Sequence, residues 1–112
     1  MRAEVILLVL FCALLGATGQ IFFKLASKDV SINIVDWLTN YKFILGAMLY
    51  ALSAVLFVWA LKYGELSILY PIIATSYIWV MILSSVVLGE SFSLIKTIGT
   101  LIILLGIGII VK

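Results

Sequence analysis

Histidine is absent from this chain, cysteine and proline occur once each, and only 11% of its 112 residues carry charge. Without histidine the commonest transition-metal ligand is missing, and a single cysteine, Cys12, can form neither a disulfide framework nor a zinc site. No metal and no other cofactor is expected. The formal net charge is only +2 and no run of like charges occurs, which excludes a nucleic-acid surface and a polybasic lipid patch. The carboxylates, Glu4, Asp29, Asp36, Glu65 and Glu90, are scattered at the ends of apolar runs and in the connections between them. General acid–base pairs and nucleophile–base pairs cannot be assembled from such a set, so the chain is expected not to be an enzyme.

Hydrophobic residues make up 66% of the chain and the mean hydropathy is +1.38, beyond the usual soluble composition. The expected fold class is all-α integral membrane: one domain over residues 1–112, a bundle of four transmembrane helices at about 4–26, 43–62, 66–88 and 94–111. Each run is long enough, because about 20 residues at roughly 1.5 Å rise cover a hydrocarbon core of roughly 30 Å. Arg2 ahead of the first run also fits a secretory signal cleaved near Ala17 to Gly19. The span-length run and the three spans behind it argue against that reading.

The third span, Leu66 to Glu90, is not uniformly apolar. Ser67, Tyr70, Ala74, Tyr77, Met81 and Ser84 recur at helical steps, and Pro71 removes a backbone donor and frees a carbonyl near Ser67. Lipid satisfies neither feature, so this helix should face protein or a cavity. In the first span Gly16, Gln20 and Lys24 share a face; Gln20 should point into the bundle, while Lys24 is able to snorkel to the headgroups. The second span carries Gly46, Ala47, Tyr50, Ser53, Ala54 and Phe57 as a small-residue packing stripe, with Trp59 and Tyr63 near the far interface. Residues 27–42 read as an interfacial segment or lid anchored by Trp37 and Tyr41. The short connection from Lys62 to Glu65 predicts that spans two and three are antiparallel neighbours. Glu90 is a structural charge of the next hairpin, followed by Ser91 and Ser93 as helix caps. In the fourth span Gly99 and Gly106 stand a heptad apart with Gly108 beyond them, a candidate dimer seam. The positive charges nearly tie, Arg2, Lys62 and Lys112 on one side against Lys28, Lys42 and Lys96, with Lys24 if it snorkels, on the other; orientation is not fixed by that rule.

Three stretches, ALLGATGQIFFKLA at Ala13 to Ala26, LYPIIATSYIWV at Leu69 to Val80 and LGESFSLIKTIGTLIILLG at Leu88 to Gly106, carry a resemblance. Together they resemble the drug/metabolite transporter superfamily, in particular its small four-helix EamA-like subunits that flip undecaprenyl-phosphate aminoarabinose across the bacterial inner membrane. The Gly19-Gln20 pair with Lys24, the Tyr70-Pro71 pair, Trp79 and Gly89-Glu90 match that group. More distantly, the Gly99 to Gly106 spacing is similar to the glycine heptad through which small multidrug resistance proteins dimerise. Those exporters use a glutamate embedded in span one for proton and cation, and the aligned position here is Gly16.

The resemblance implies a multi-pass inner-membrane transporter of an amphipathic or lipid-linked substrate, working as a homodimer or as a heterodimer with a homologous small subunit, antiparallel or heteromeric. Gln20, Tyr70, Ser76 and Tyr77 would offer hydrogen bonds to a polar headgroup, and Lys24 a charge for its phosphate. Hydrogen bonding that merely holds the bundle is the competing role for Gln20 and the tyrosines. A small exporter of amphipathic cations, with Trp59, Tyr70, Tyr77 and Trp79 as an aromatic cation site, is one alternative. A membrane subunit that assembles a larger complex without transporting is the other.

Overall fold

The computed structural model describes residues 3–112, and within them the chain is helical, with no strand. Six helices follow in order: α1 (Ala3–Ala26), α2 (Ile34–Leu38), α3 (Tyr41–Leu61), α4 (Leu66–Ile73), α5 (Ser76–Val87) and α6 (Leu94–Val111). Four segments are long and apolar enough to cross a bilayer, the third being Leu66–Val87 with α4 and α5 as its halves. The expected four-span, all-α architecture is therefore present. Arg2, one of the charges in the sidedness count, lies outside the described residues.

The helix ends follow their side chains. The Asn40 side chain accepts from the Lys42 and Phe43 N–H groups and starts α3 two residues earlier than expected, while its amide donates to the Ala26 carbonyl at the end of α1, 3.2 Å away. One residue thus satisfies orphan groups on two helices. Asn33 caps α2, and Ser93 caps α6 by accepting from the Lys96 N–H. Gly89 takes φ 71°, where a side chain is disfavoured, and lets the Glu90 N–H close back on the Ser84 carbonyl at 3.2 Å.

The third span is interrupted, though the break is not at its proline. It falls at Ala74 and Thr75, where hydrogen bonds shorten to i→i+3: Thr75 N to the Ile72 carbonyl and Tyr77 N to the Ala74 carbonyl. The Thr75 hydroxyl also donates to the Ile72 carbonyl at 2.7 Å, a local competitor of the α-helical pattern. The hydroxyl stripe is divided accordingly. Leu69, Ile72, Thr75, Met81 and Ser84 are buried, whereas Ser67, Tyr70 and Tyr77 are exposed.

α1 is the axis of the bundle. It packs against α3, α4 and α5, whereas α6 leans mainly on α4. Spans two and three are neighbours near the tight turn that joins them, where Ala60 shares a core with Leu69 and Ile72 and the Phe57 ring meets Tyr70; their backbones otherwise pack on α1 more than on each other. Small residues permit this. A Cβ on Gly46 would lie 2.9 Å from the Gly19 carbonyl oxygen and 2.9 Å from the Phe23 ring; one on Gly19 would lie 3.0 Å from the Gly46 oxygen. The two backbones therefore cross in direct contact. Towards the other end, Val5, Val9, Ala60, Leu69 and Ile72 form the buried core, and Ser53 donates to the Cys12 carbonyl at 2.8 Å between the two levels.

Gly99, Gly106 and Gly108 meet nothing within 4 Å and lie on exposed parts of α6. Gly99 and Gly106 share a face, while Gly108 is turned about 200° from Gly106. Gly46→Ala is expected to destabilise the folded chain by about 1–3 kcal/mol through overpacking, read as a lowered unfolding midpoint in detergent. Gly106→Ala, which meets open space in an exposed helix, should leave the isolated chain's midpoint unchanged or raise it. Equal midpoints for both would mean that the helices do not cross at Gly46.

Candidate functional site

Because α3 and the third span diverge while both rest on α1, a half-open cavity of about 240 Å³ remains between them. Its floor is Cys12, Ala13, Gly16, Ala17 and Gln20 of α1. One wall is Tyr50, Ser53, Ala54 and Phe57 of α3, and the other is Tyr70, Ile73 and Ser76, which flank the break in the third span. The Phe57 and Tyr70 rings face each other across it, edge to face, with centroids 6.3 Å apart. Gly16 keeps the floor low: a Cβ there would reach ordinary contact with Ser53 Oγ at 3.5 Å, so any longer side chain would project into the space.

The polar groups of this groove fall into two sets. Ser53 is buried and its hydroxyl is committed to the Cys12 carbonyl, so it holds α3 to α1. Gln20, Tyr50, Tyr70 and Ser76 make no side-chain hydrogen bond among the described residues. Interhelical hydrogen bonding is thus not what these four side chains do within a single chain. An unpaired polar group facing hydrocarbon is costly, so a groove carrying four of them needs water or a polar solute. No carboxylate lines it.

Of the residues picked from sequence, the structure brings together Gln20, Tyr70 and Ser76, with Gly16 beneath them. Three others do not line the groove. Tyr77 is 41% exposed and turned about 100° from Ser76. Trp59 is 54% exposed and about 200° beyond Phe57, the last α3 residue of the wall. Lys24 is exposed in the last turn of α1, about 6 Å of helix rise past Gln20. Pro71 lies inside α4 next to Tyr70, and Glu90 is an exposed residue of the connection ahead of α6. Tyr50 and Ser53 were visible in sequence only as members of a packing stripe. Their periodicity placed them on a helix-packing face, but nothing in it said which helix that face meets or that part of it stands open.

The profile of the EamA-like transporter family matches residues 2–112. Among similar proteins, one from Sinorhizobium fredii, described as the uncharacterized protein y4nH, is 36% identical over 110 residues, covering 96% of this chain and 94% of its own. A probable 4-amino-4-deoxy-L-arabinose-phosphoundecaprenol flippase subunit ArnF from Serratia proteamaculans is 37% identical over 114 residues, covering 96% and 87%. The protein of the same description from Photorhabdus laumondii subsp. laumondii is 29% identical over 112 residues, covering 94% and 89%. No solved structure matches the chain.

In a Cys12→Ser background, Gln20→Cys and Ser76→Cys chains in membranes are expected to react with a water-soluble maleimide. Val86→Cys, at a position 78% exposed on the outer surface of α5, should resist it. Equal protection at all three positions would mean that the groove is not hydrated.

Proposed function

The chain belongs to the EamA-like transporter family, and from that membership we propose that it moves a lipid-linked polar headgroup, of the phosphate-linked aminosugar kind, across the bilayer. The observation that carries this reading is the groove whose four polar side chains have no partner, open on one side between helices that are otherwise apolar. A sugar offers hydroxyls that Gln20, Tyr50, Tyr70 and Ser76 bind in place of water. The hydrocarbon tail stays in lipid at the open side. The phosphate lies one turn away, at the level of Lys24, whose ammonium is a compact point charge suited to it. Two relatives described as subunits of an aminoarabinose-phosphoundecaprenol flippase support this choice of substrate class.

Membership of a transporter family weighs against catalysis, and the lack of a carboxylate in the groove weighs against proton-coupled export of cations, which relies on an embedded acid. The same relatives support a two-chain working unit, since each is described as a subunit. We place the second chain on the Gly99 and Gly106 face of α6, where open space allows close helix approach. The inner membrane is the setting this reading requires.

The test is vesicle reconstitution, alone and with a homologous small subunit, using the lipid-linked aminosugar and an amine reagent that cannot cross the bilayer. The amine is expected to become reactive on the far side in a protein-dependent way. Gln20→Ala and Tyr70→Phe, each inserted normally, should slow this about three- to tenfold, the worth of one lost hydrogen bond. Unchanged rates in both variants would remove the site assignment. No movement in either reconstitution would leave a non-transporting assembly subunit as the better description.

A further inference from the structure

Beyond the Gly19–Gly46 crossing, at the end opposite the buried core, α1, α3, and α2 with its flanks border a second half-open cavity of about 290 Å³. Phe23, Ala26, Ser27, Val30, Trp37 and Phe43 line it. Its polar atoms are already engaged: the Ser27 hydroxyl donates to the Lys24 carbonyl at 2.6 Å, and Trp37 Nε1 donates to the Ser31 carbonyl at 2.8 Å. Water inside would find no partners, and a stable buried water needs two to four.

The level of this cavity decides what reaches it. It lies where α1 ends and α3 begins, beside α2, which turns Ile34, Val35 and Leu38 outwards. An outward apolar face on a short amphipathic helix lies in the membrane interface, so the opening meets acyl chains just below their headgroups. The charges around it are three lysines and two carboxylates. Lys42 is tied to Asp29 at 3.9 Å, and Asp36 accepts from the Ser31 hydroxyl. Lys24 and Lys28, next in chain to the lining residues Phe23 and Ser27, have no ion-pair partner among the described residues.

We infer that this cavity is a binding site for one acyl chain of an anionic bilayer phospholipid, its phosphate held by Lys28. The lipid is resident and is not the cargo, so the site stands whether or not the groove carries a lipid-linked sugar. Its occupant would rest on Phe23. That ring lies 5.6 Å from Phe43 and 6.2 Å from Tyr50, centroid to centroid, and Tyr50 belongs to the groove wall. One aromatic side chain therefore joins the two cavities.

Trp37 is the reporter. The full chain with Trp59→Phe and Trp79→Phe is placed in phosphatidylcholine nanodiscs containing rising fractions of phosphatidylglycerol brominated on its acyl chains, and Trp37 fluorescence is followed. Quenching is expected to saturate at a mole fraction at least about fivefold lower than for brominated phosphatidylcholine, and Lys28→Gln should remove about that factor, the contribution of one lysine near an anionic lipid. Ser27→Phe, a change at an exposed position that fills the slot, should abolish the saturable part; Val30→Phe serves if that variant does not fold. Quenching that follows bulk composition equally for both lipids overturns the proposal. So does displacement by undecaprenyl phosphate at lower mole fraction than by unlabelled phosphatidylglycerol, which would give the slot to a transported lipid's tail.

Discussion

The contact between the Gly19 and Gly46 backbones is the constraint on which the rest of the molecule depends. In lipid there is no hydrophobic gain from pressing one apolar helix on another, so association rests on close packing and a few hydrogen bonds. Two glycines facing each other allow that approach, and the Phe23 ring packs against the space a side chain on Gly46 would take. From this crossing α3 follows α1 in both directions, tied by the Ser53 bond to Cys12 on one side and by the Asn40 bond to Ala26 on the other. The polar groove opens where the third span leaves α3, and the apolar cavity where α2 and its flanks lie over Phe23 and Phe43.

Polarity in this chain is consequently sorted by whether it is satisfied. Ser53, Thr75, Ser84 and Thr100 are buried, and their hydroxyls bond to backbone carbonyls on their own or a neighbouring helix, as membrane helices require. Four side chains that stand free, Gln20, Tyr50, Tyr70 and Ser76, converge on one half-open space, while the buried Ser85 hydroxyl, away from it, is also without a partner among the described residues. A recognition surface needs that distinction. Groups already paired within the fold have little left to offer a ligand, whereas unpaired ones favour whatever completes them.

Much of this was legible in the chain before the structure. Four apolar runs of span length marked the helices, and the cost of exposing an amide to lipid turned Gln20 towards the space between them, where it is exposed in the half-open groove. Ser93 was recognisable as a cap from its position alone. Other features depend on geometry that linear spacing does not carry. Two helices joined by a four-residue turn are ordinarily neighbours, and these are near the turn, but the small residues of α1 drew both onto α1 and left a groove between them farther along. The break at Ala74 and Thr75 changed the phase of the third span, so Tyr70 and Ser76 line the groove and Tyr77 does not. Asn40 went unnoticed because one polar residue in a loop has no periodicity to mark it, although it joins the ends of two helices.

The Asn40 bonds also bear on the order in which the molecule is put together. The glycine crossing and the hydrogen bonds that seat α3 on α1, at Gly19 and Gly46, at Ser53 and Cys12, and at Asn40 and Ala26, lie within residues 12–53, and the core residues Val5, Val9 and Ala60 also precede α4. The helical hairpin can therefore make these contacts as α3 leaves the ribosome, before α4 has emerged to add Leu69 and Ile72 to the core, and domains generally form in that N-terminal-first sequence. The later helices add to a surface already built. Biogenesis and mechanism then divide the chain at the same place: an early, tightly seated hairpin that carries most of the groove, and a late half, ending in the sparsely packed α6, that closes over it.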